Sequence, residues 1–177
     1  MLGRIRASAF AILAAIALAQ PASAARLPQL IDQNGHPFTF ASLRGTPLIV
    51  TFIAAHCTDA CPLINAQFAQ ASQQLAKAHV HVRLLTITLD PEHDSLRDMR
   101  EIARRFGADP HMWILADGSR SDVHAIMNAF GVTAERGRKG YADVHTTFVY
   151  LVDARGNLRK TILASTALSD QIVELAR

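Results

Sequence analysis

The chain has 177 residues, half of them hydrophobic, with 18 Lys+Arg against 15 Asp+Glu. That length fits one domain around one buried core, and the near balance of charge offers no electrostatic case for nucleic acid or an anionic membrane as partner. With only two cysteines, Cys57 and Cys61, a disulfide-stapled scaffold is excluded as well.

The start of the chain reads as an export signal. Arg4 and Arg6 precede an apolar run over 7–19, Pro21 breaks it, and Ala22-Ser23-Ala24 supplies the small residues that a signal peptidase requires. Cleavage is expected before Ala25, giving a signal peptide 1–24 and a mature domain 25–177. The alternative is an uncleaved anchor, but the run falls short of the roughly 20 residues that cross a bilayer. Loss of Arg4 and Arg6 lowers the basic count to 16 against 15 acidic residues. No later stretch is long and apolar enough to span a membrane, so the mature domain is expected to be soluble, with no internal repeat.

Asn34-Gly35 is a hairpin turn signal between short segments at 29–32 and 37–40, a β-ribbon that opens the domain. The run at 47–54 is apolar and β-branched throughout, as suits a central strand buried on both faces. The cysteines follow at once, and Pro62 opens a helix to about residue 78. A strand over 80–89, a helix over 95–106 stopped by Gly107, a strand around 112–115 and a helix ending before Gly131 come next. This βαβαβ order calls for parallel strands with helices on the faces of the sheet. Residues 136–140 form a basic, Gly-rich loop or hairpin; 147–153 and 158–163 flank the Arg155-Gly156-Asn157 turn as a β-hairpin, and a short helix follows Ser169. In sum the order is that of an α/β, thioredoxin-like fold: a central mixed sheet flanked by helices, with an N-terminal β-ribbon extension.

The cysteine spacing argues for chemistry rather than for a staple. Closing a loop of so few residues removes little entropy from the unfolded chain. In this fold the pair sits at a helix N-terminus, where unpaired N–H groups and the helix dipole favour thiolates, so both thiols are expected to ionise readily. Pure thiol–disulfide exchangers usually place two residues between the cysteines, whereas Thr58-Asp59-Ala60 makes three, leaving room for a metal ion while still permitting a disulfide. Two thiolates under-coordinate a metal, and thiolate plus imidazole suits copper. Of the eight histidines, His36, His79, His81, His93, His111 and His124 read as surface or packing residues, and His56 as a competing ligand. His145 lies before the strand at 147–153, in the loop that faces the cysteine turn in thioredoxin-like folds. Asp143-Val144-His145-Thr146 stands there with no proline, where redox members of the fold generally carry a cis-proline. Asp90 ends a strand at the same sheet edge and reads as a turn and capping residue with Pro91 and Asp94, or as a group that tunes the site.

These residues resemble the Sco/SenC family of copper-binding, thioredoxin-like assembly factors for cytochrome oxidase. The resemblance rests on Cys57-Thr58-Asp59-Ala60-Cys61-Pro62, on His145 before a strand, on Thr86-Ile87-Thr88-Leu89-Asp90-Pro91-Glu92-His93-Asp94, and on Tyr150-Leu151-Val152-Asp153 before a glycine turn. It covers the chain from about Leu27 to the end. The family commonly has Pro-Asp where this chain has Thr58-Asp59, and arginine where it has His93. The resemblance implies a periplasmic copper chaperone that holds Cu(I) or Cu(II) through Cys57, Cys61 and His145. Its partner would be the copper subunit of cytochrome oxidase, at the CuA site, or another periplasmic copper chaperone, with the protein itself a monomer. A periplasmic thiol:disulfide reductase using Cys57 and Cys61 as a redox-active pair is the alternative. A peroxidase of the peroxiredoxin or glutathione peroxidase type leaves Cys61 poorly explained.

Overall fold

A computed structural model describes residues 27–58, 60–137, 140–142, 144–145 and 147–177, with Val144 and His145 described by their backbone alone. The expected signal peptide 1–24 and its cleavage point lie outside the described residues.

The chain opens with β1 (Leu30–Asp32) and β2 (Pro37–Phe38), an antiparallel ribbon. Asp32 shapes its turn by accepting the Asn34 and His36 backbone N–H groups at 2.8 Å each, while Gly35 takes the positive φ of 93° that the turn requires. A 3-10 turn, Phe40–Leu43, follows, closed by reciprocal Thr39 and Ser42 caps. All six residues of β3 (Leu48–Ile53) are buried, the mark of a strand covered on both faces. Next come α1 (Ala60–Lys77), β4 (Arg83–Thr88) and α2 (Leu96–Phe106). Ser95 and Asp98 cap α2 reciprocally, and Gly107 ends it in the left-handed conformation at φ 65°. The chain continues through β5 (Trp113–Gly118), α3 (Arg120–Phe130), β6 (Ala134–Glu135) and β7 (Val144–His145). It finishes with β8 (Phe148–Val152), β9 (Leu158–Leu163) and α4 (Leu168–Leu175).

The main sheet has seven strands in the order β2-β1-β5-β4-β3-β8-β9. β3, β4 and β5 run parallel, and β8 and β9 complete one edge as an antiparallel hairpin. One face packs α1, α2 and α4 over Phe68, Leu75, Met99, Trp113 and Ile172. The other packs α3 and the 3-10 turn over Leu43, Phe52, Val123, Ile126 and Tyr150. This is the thioredoxin-like arrangement expected from the order of elements.

Two boundaries differ in ways that matter. α1 begins at Ala60 rather than at Pro62, so Cys61 lies inside its first turn. The N-terminal ribbon is part of the main sheet and not an added flap, because β1 pairs antiparallel with β5. Gln33 extends that join beyond the end of β1. Its buried side chain donates to the Trp113 carbonyl at 3.0 Å and accepts the Leu115 N–H at 2.9 Å, standing in for a strand's own backbone.

Gln33→Ala orphans that carbonyl and that N–H together, and should destabilise the domain by about 2–4 kcal/mol. Urea unfolding measures it; a change within experimental scatter would mean that the ribbon adds nothing to the stability of β5.

Candidate functional site

Register brings three chain segments to one edge of the sheet. β3 and β4 run parallel with Ile53 opposite Thr88, so both end there, and the Leu89 N–H still donates to the Ile53 carbonyl at 2.8 Å. β8 runs antiparallel to β3 with Val149 opposite Thr51, so β8 starts where β3 stops. The Thr51 hydroxyl fastens that start by donating to the Phe148 carbonyl at 3.1 Å. Residues 54–58, 60–61, 89–94, 141–142 and 147 therefore share the carboxyl edge, where α/β sheets bind their ligands.

After β3 the chain turns tightly, with the Cys57 N–H on the Ala54 carbonyl at 3.2 Å, and enters α1. Cys57 and Cys61 are both buried and are not joined by a disulfide. The Cys61 N–H, from the first turn of α1, points at the Cys57 sulfur at 3.5 Å. A helix N-terminus thus faces Cys57, as the sequence implies. Cys61 departs from the expectation of two readily ionised thiols. Burial, followed by its hydrogen bond with Cys57, pushes the Cys61 thiol well above its ordinary range, and the nearby Asp94 carboxylate adds to the shift. Desolvation outweighs the helix dipole here because Cys61 is only 2% exposed. Both sulfur residues line a cavity of about 300 Å³ together with Pro62, Asn65, Ile102 and Phe106.

His145 lies in β7, where its backbone pairs with Ala134 of β6 in a separate two-stranded sheet. Among the described residues, no group of three His, Cys, Asp or Glu side chains is gathered closely enough to hold a metal ion. The His145 side chain, expected as the third ligand, lies outside the described residues. Among the described residues, five of the other histidines have partners of their own, His56 and His93 at this edge. His36 approaches Asp32 at 3.3 Å, His81 meets Thr46 at 3.2 Å, and His124 meets Glu92 at 3.5 Å. His56, expected as a competing ligand, stacks on Tyr141 with ring centroids 4.3 Å apart.

Asp90 is wholly buried, and its reach exceeds a turn role. It accepts the Ala142 N–H at 2.9 Å and the His93 Nδ1 at 3.0 Å, and pairs with Arg136 at 3.4 Å. Burial alone would raise the Asp90 carboxyl; the Ala142 N–H, His93 and Arg136 together outweigh it and hold the group below its usual range. Asp94 is buried beside it, accepting the Ala55 N–H at 2.9 Å and the Thr88 hydroxyl at 2.7 Å, so it fixes the chain just before the cysteines. Its carboxyl is raised, chiefly by burial. Arg136 and Tyr141 drew no individual role from the sequence, and Asp94 only a turn and capping one. The signal available was the pair of acidic residues, Asp90 and Asp94, directly after an apolar strand.

The SCO1/SenC family model matches residues 19–177. The chain belongs to the SCO1/SenC family. It is similar to an SCO2-like protein of Rickettsia felis, 27% identical over 137 residues, a match covering 75% of this chain and 65% of that relative's length. Its fold is similar to that of Arabidopsis thaliana ScoI solved with copper bound, at 25% identity and a TM-score of 0.70, covering 83% of this chain and 94% of that one. Yeast Sco1 with copper bound is similar at 26% identity and a TM-score of 0.67, covering 82% of this chain and 84% of that one.

In this SCO1/SenC domain the two thiols are chemically unequal. Iodoacetamide at neutral pH should modify Cys57 before Cys61, because Cys61 is the more buried and its thiol resists ionisation. Peptide mapping of a time course reads the order; Cys61 labelled first would contradict the burial argument.

Proposed function

We propose that this SCO1/SenC domain is a periplasmic copper chaperone. Cys57 and Cys61 supply thiolates and His145 an imidazole to Cu(I) or Cu(II), and the metal is handed to the CuA site of a cytochrome oxidase subunit or exchanged with another copper chaperone. The observation that carries this reading is the placing of Cys57 and Cys61 around the start of α1, their side chains lining one cavity on the sheet edge where β8 begins. The donors fit a soft metal. Two cysteines line one cavity. Family membership and the copper-bound state of the A. thaliana and yeast neighbours support copper over zinc. Export to the periplasm follows from the signal-like start of the chain; no helix among the described residues is long and apolar enough to cross a membrane.

The chain's own residues set the terms of loading. Cys61 carries its proton at neutral pH, so the metal must displace that proton on binding. Apparent Cu(I) affinity should therefore rise with pH, by about tenfold per unit for each proton displaced. Competition titrations from mildly acidic to mildly alkaline buffer measure the slope, and a flat profile would contradict thiol ligation. Oxidation of the pair to a disulfide takes two electrons and two protons from the ligands and abolishes the site. Copper loading and thiol redox state are thereby exclusive.

A second reading draws on the hydrogen bond between the two thiols. A dithiol so arranged could reduce a client disulfide, becoming a disulfide itself while the client gains two thiols. His145 decides between the readings. In the reduced mature protein, His145→Ala should weaken Cu(II) binding by about 10–100-fold and remove imidazole features from its spectrum. Wild-type affinity in that variant, together with a strongly reducing pair and turnover on a protein disulfide, would favour the reductase.

A further inference from the structure

The buried carboxylate of Asp90 joins parts of the chain that sequence keeps far apart. Its Oδ2 accepts the backbone N–H of Ala142, 52 residues ahead, at 2.9 Å. Arg136 bends back from the same excursion, bonding the Gly140 carbonyl at 2.7 Å while its guanidinium approaches Asp90 and Glu92 at 3.4 Å each. Tyr141 lies between, stacked on His56 at 4.3 Å and edge-on to His93 at 5.1 Å. His56 immediately precedes Cys57, and Ala142 is packed in the same apolar cluster as both cysteines. Arg136, from the predicted basic loop, and Tyr141 and Ala142, just after it, thus each meet the cysteine edge.

Magnitudes rank these contacts. A hydrogen bond from a buried amide to a buried carboxylate contributes about 1.5–3 kcal/mol, whereas an ion pair with an exposed arginine contributes about 1 kcal/mol or less. Arg136 is 47% exposed and its pairs are long, so the Ala142 N–H is the principal tether. That tether sits close before His145 in sequence, and the next regular contact, β6 with β7, pairs Ala134 with His145.

We propose that Asp90 is a positioning residue, fastening Arg136 and Ala142, and through them the β7 backbone that carries His145, to the edge that carries Cys57 and Cys61. This rests on the ligand reading above. Asp90 touches no metal in this account. It sets where the third ligand's backbone stands and limits how far it departs.

The test compares wild type, Asp90→Ala, Asp90→Asn and His145→Ala as mature chains. Asparagine keeps the volume of Asp90 but offers one acceptor oxygen where the carboxylate uses two. Hydrogen exchange of the copper-free proteins reads the tether directly. Amides at 134–142 should exchange about tenfold or more faster in Asp90→Ala, with Asp90→Asn intermediate and His145→Ala unchanged. Cu(II) titration should show both Asp90 variants weakened, by about tenfold or more for alanine, with an altered thiolate-to-Cu(II) absorption band. If Asp90→Ala does not fold, the isosteric Asp90→Asn carries both comparisons. Wild-type exchange at Ala142 in the Asp90 variants would overturn the proposal, as would accelerated exchange with wild-type copper binding and spectrum. If instead His145→Ala binds copper as wild type does, the ligand reading is what fails, and the exchange comparison still decides whether Asp90 holds the segment.

Discussion

Strand β3 is the constraint on which the rest of the site depends. Buried on both faces, it accepts β4 in parallel on one side and β8 antiparallel on the other. Because β4 runs with β3 and β8 runs against it, the end of β3, the end of β4 and the start of β8 meet at one edge. The cysteine turn, the Asp90 loop and the backbone entering β8 are adjacent for that reason. A one-residue slip of β8 against β3 would send Val149 and Tyr150 to the opposite faces of the sheet and misplace the segment before them. The buried polar side chains of the central strands guard the register: Thr51 bonds the Phe148 carbonyl, Thr86 accepts the Trp113 indole N–H, and Thr88 bonds Asp94.

Burying two carboxylates at that edge is costly, and the two are handled differently. Asp90 has donors for both oxygens and stays readily ionised. Asp94 has one oxygen without a partner among the described residues and is correspondingly harder to ionise. Both act on backbone, Asp90 through Ala142 and Asp94 through Ala55, so the start of the cysteine turn and the chain before β7 are both tied to the loop after β4. Asp94 also raises the Cys61 thiol, coupling the structural anchor to the chemistry of the sulfur beside it.

The sequence made local features legible and left long-range ones obscure. β3, the Ser95 and Gly107 limits of α2 and the Asn34-Gly35 turn each follow from a few adjacent residues, and all appear where those residues put them. The cysteine spacing by itself spoke against a useful staple. Burial was not legible: the helix dipole suggests an easily ionised Cys61, and only the packed structure reveals that desolvation wins. Likewise Asp90 looked like a turn residue because its neighbours suffice for a turn. Its bonds to Ala142 and Arg136 depend on how the chain returns some fifty residues later, which no local pattern encodes. Gln33, acting as an extra strand residue for β5, was invisible for the same reason.

The proposed ligand set is two sulfurs and one imidazole, drawn from segments far apart in sequence. X-ray absorption spectroscopy of the copper-loaded mature chain tests it most directly. The account predicts two sulfur scatterers and one imidazole around the metal, with the sulfurs lost when Cys57 and Cys61 are oxidised to a disulfide before loading. A copper environment of nitrogen and oxygen donors without sulfur would contradict it.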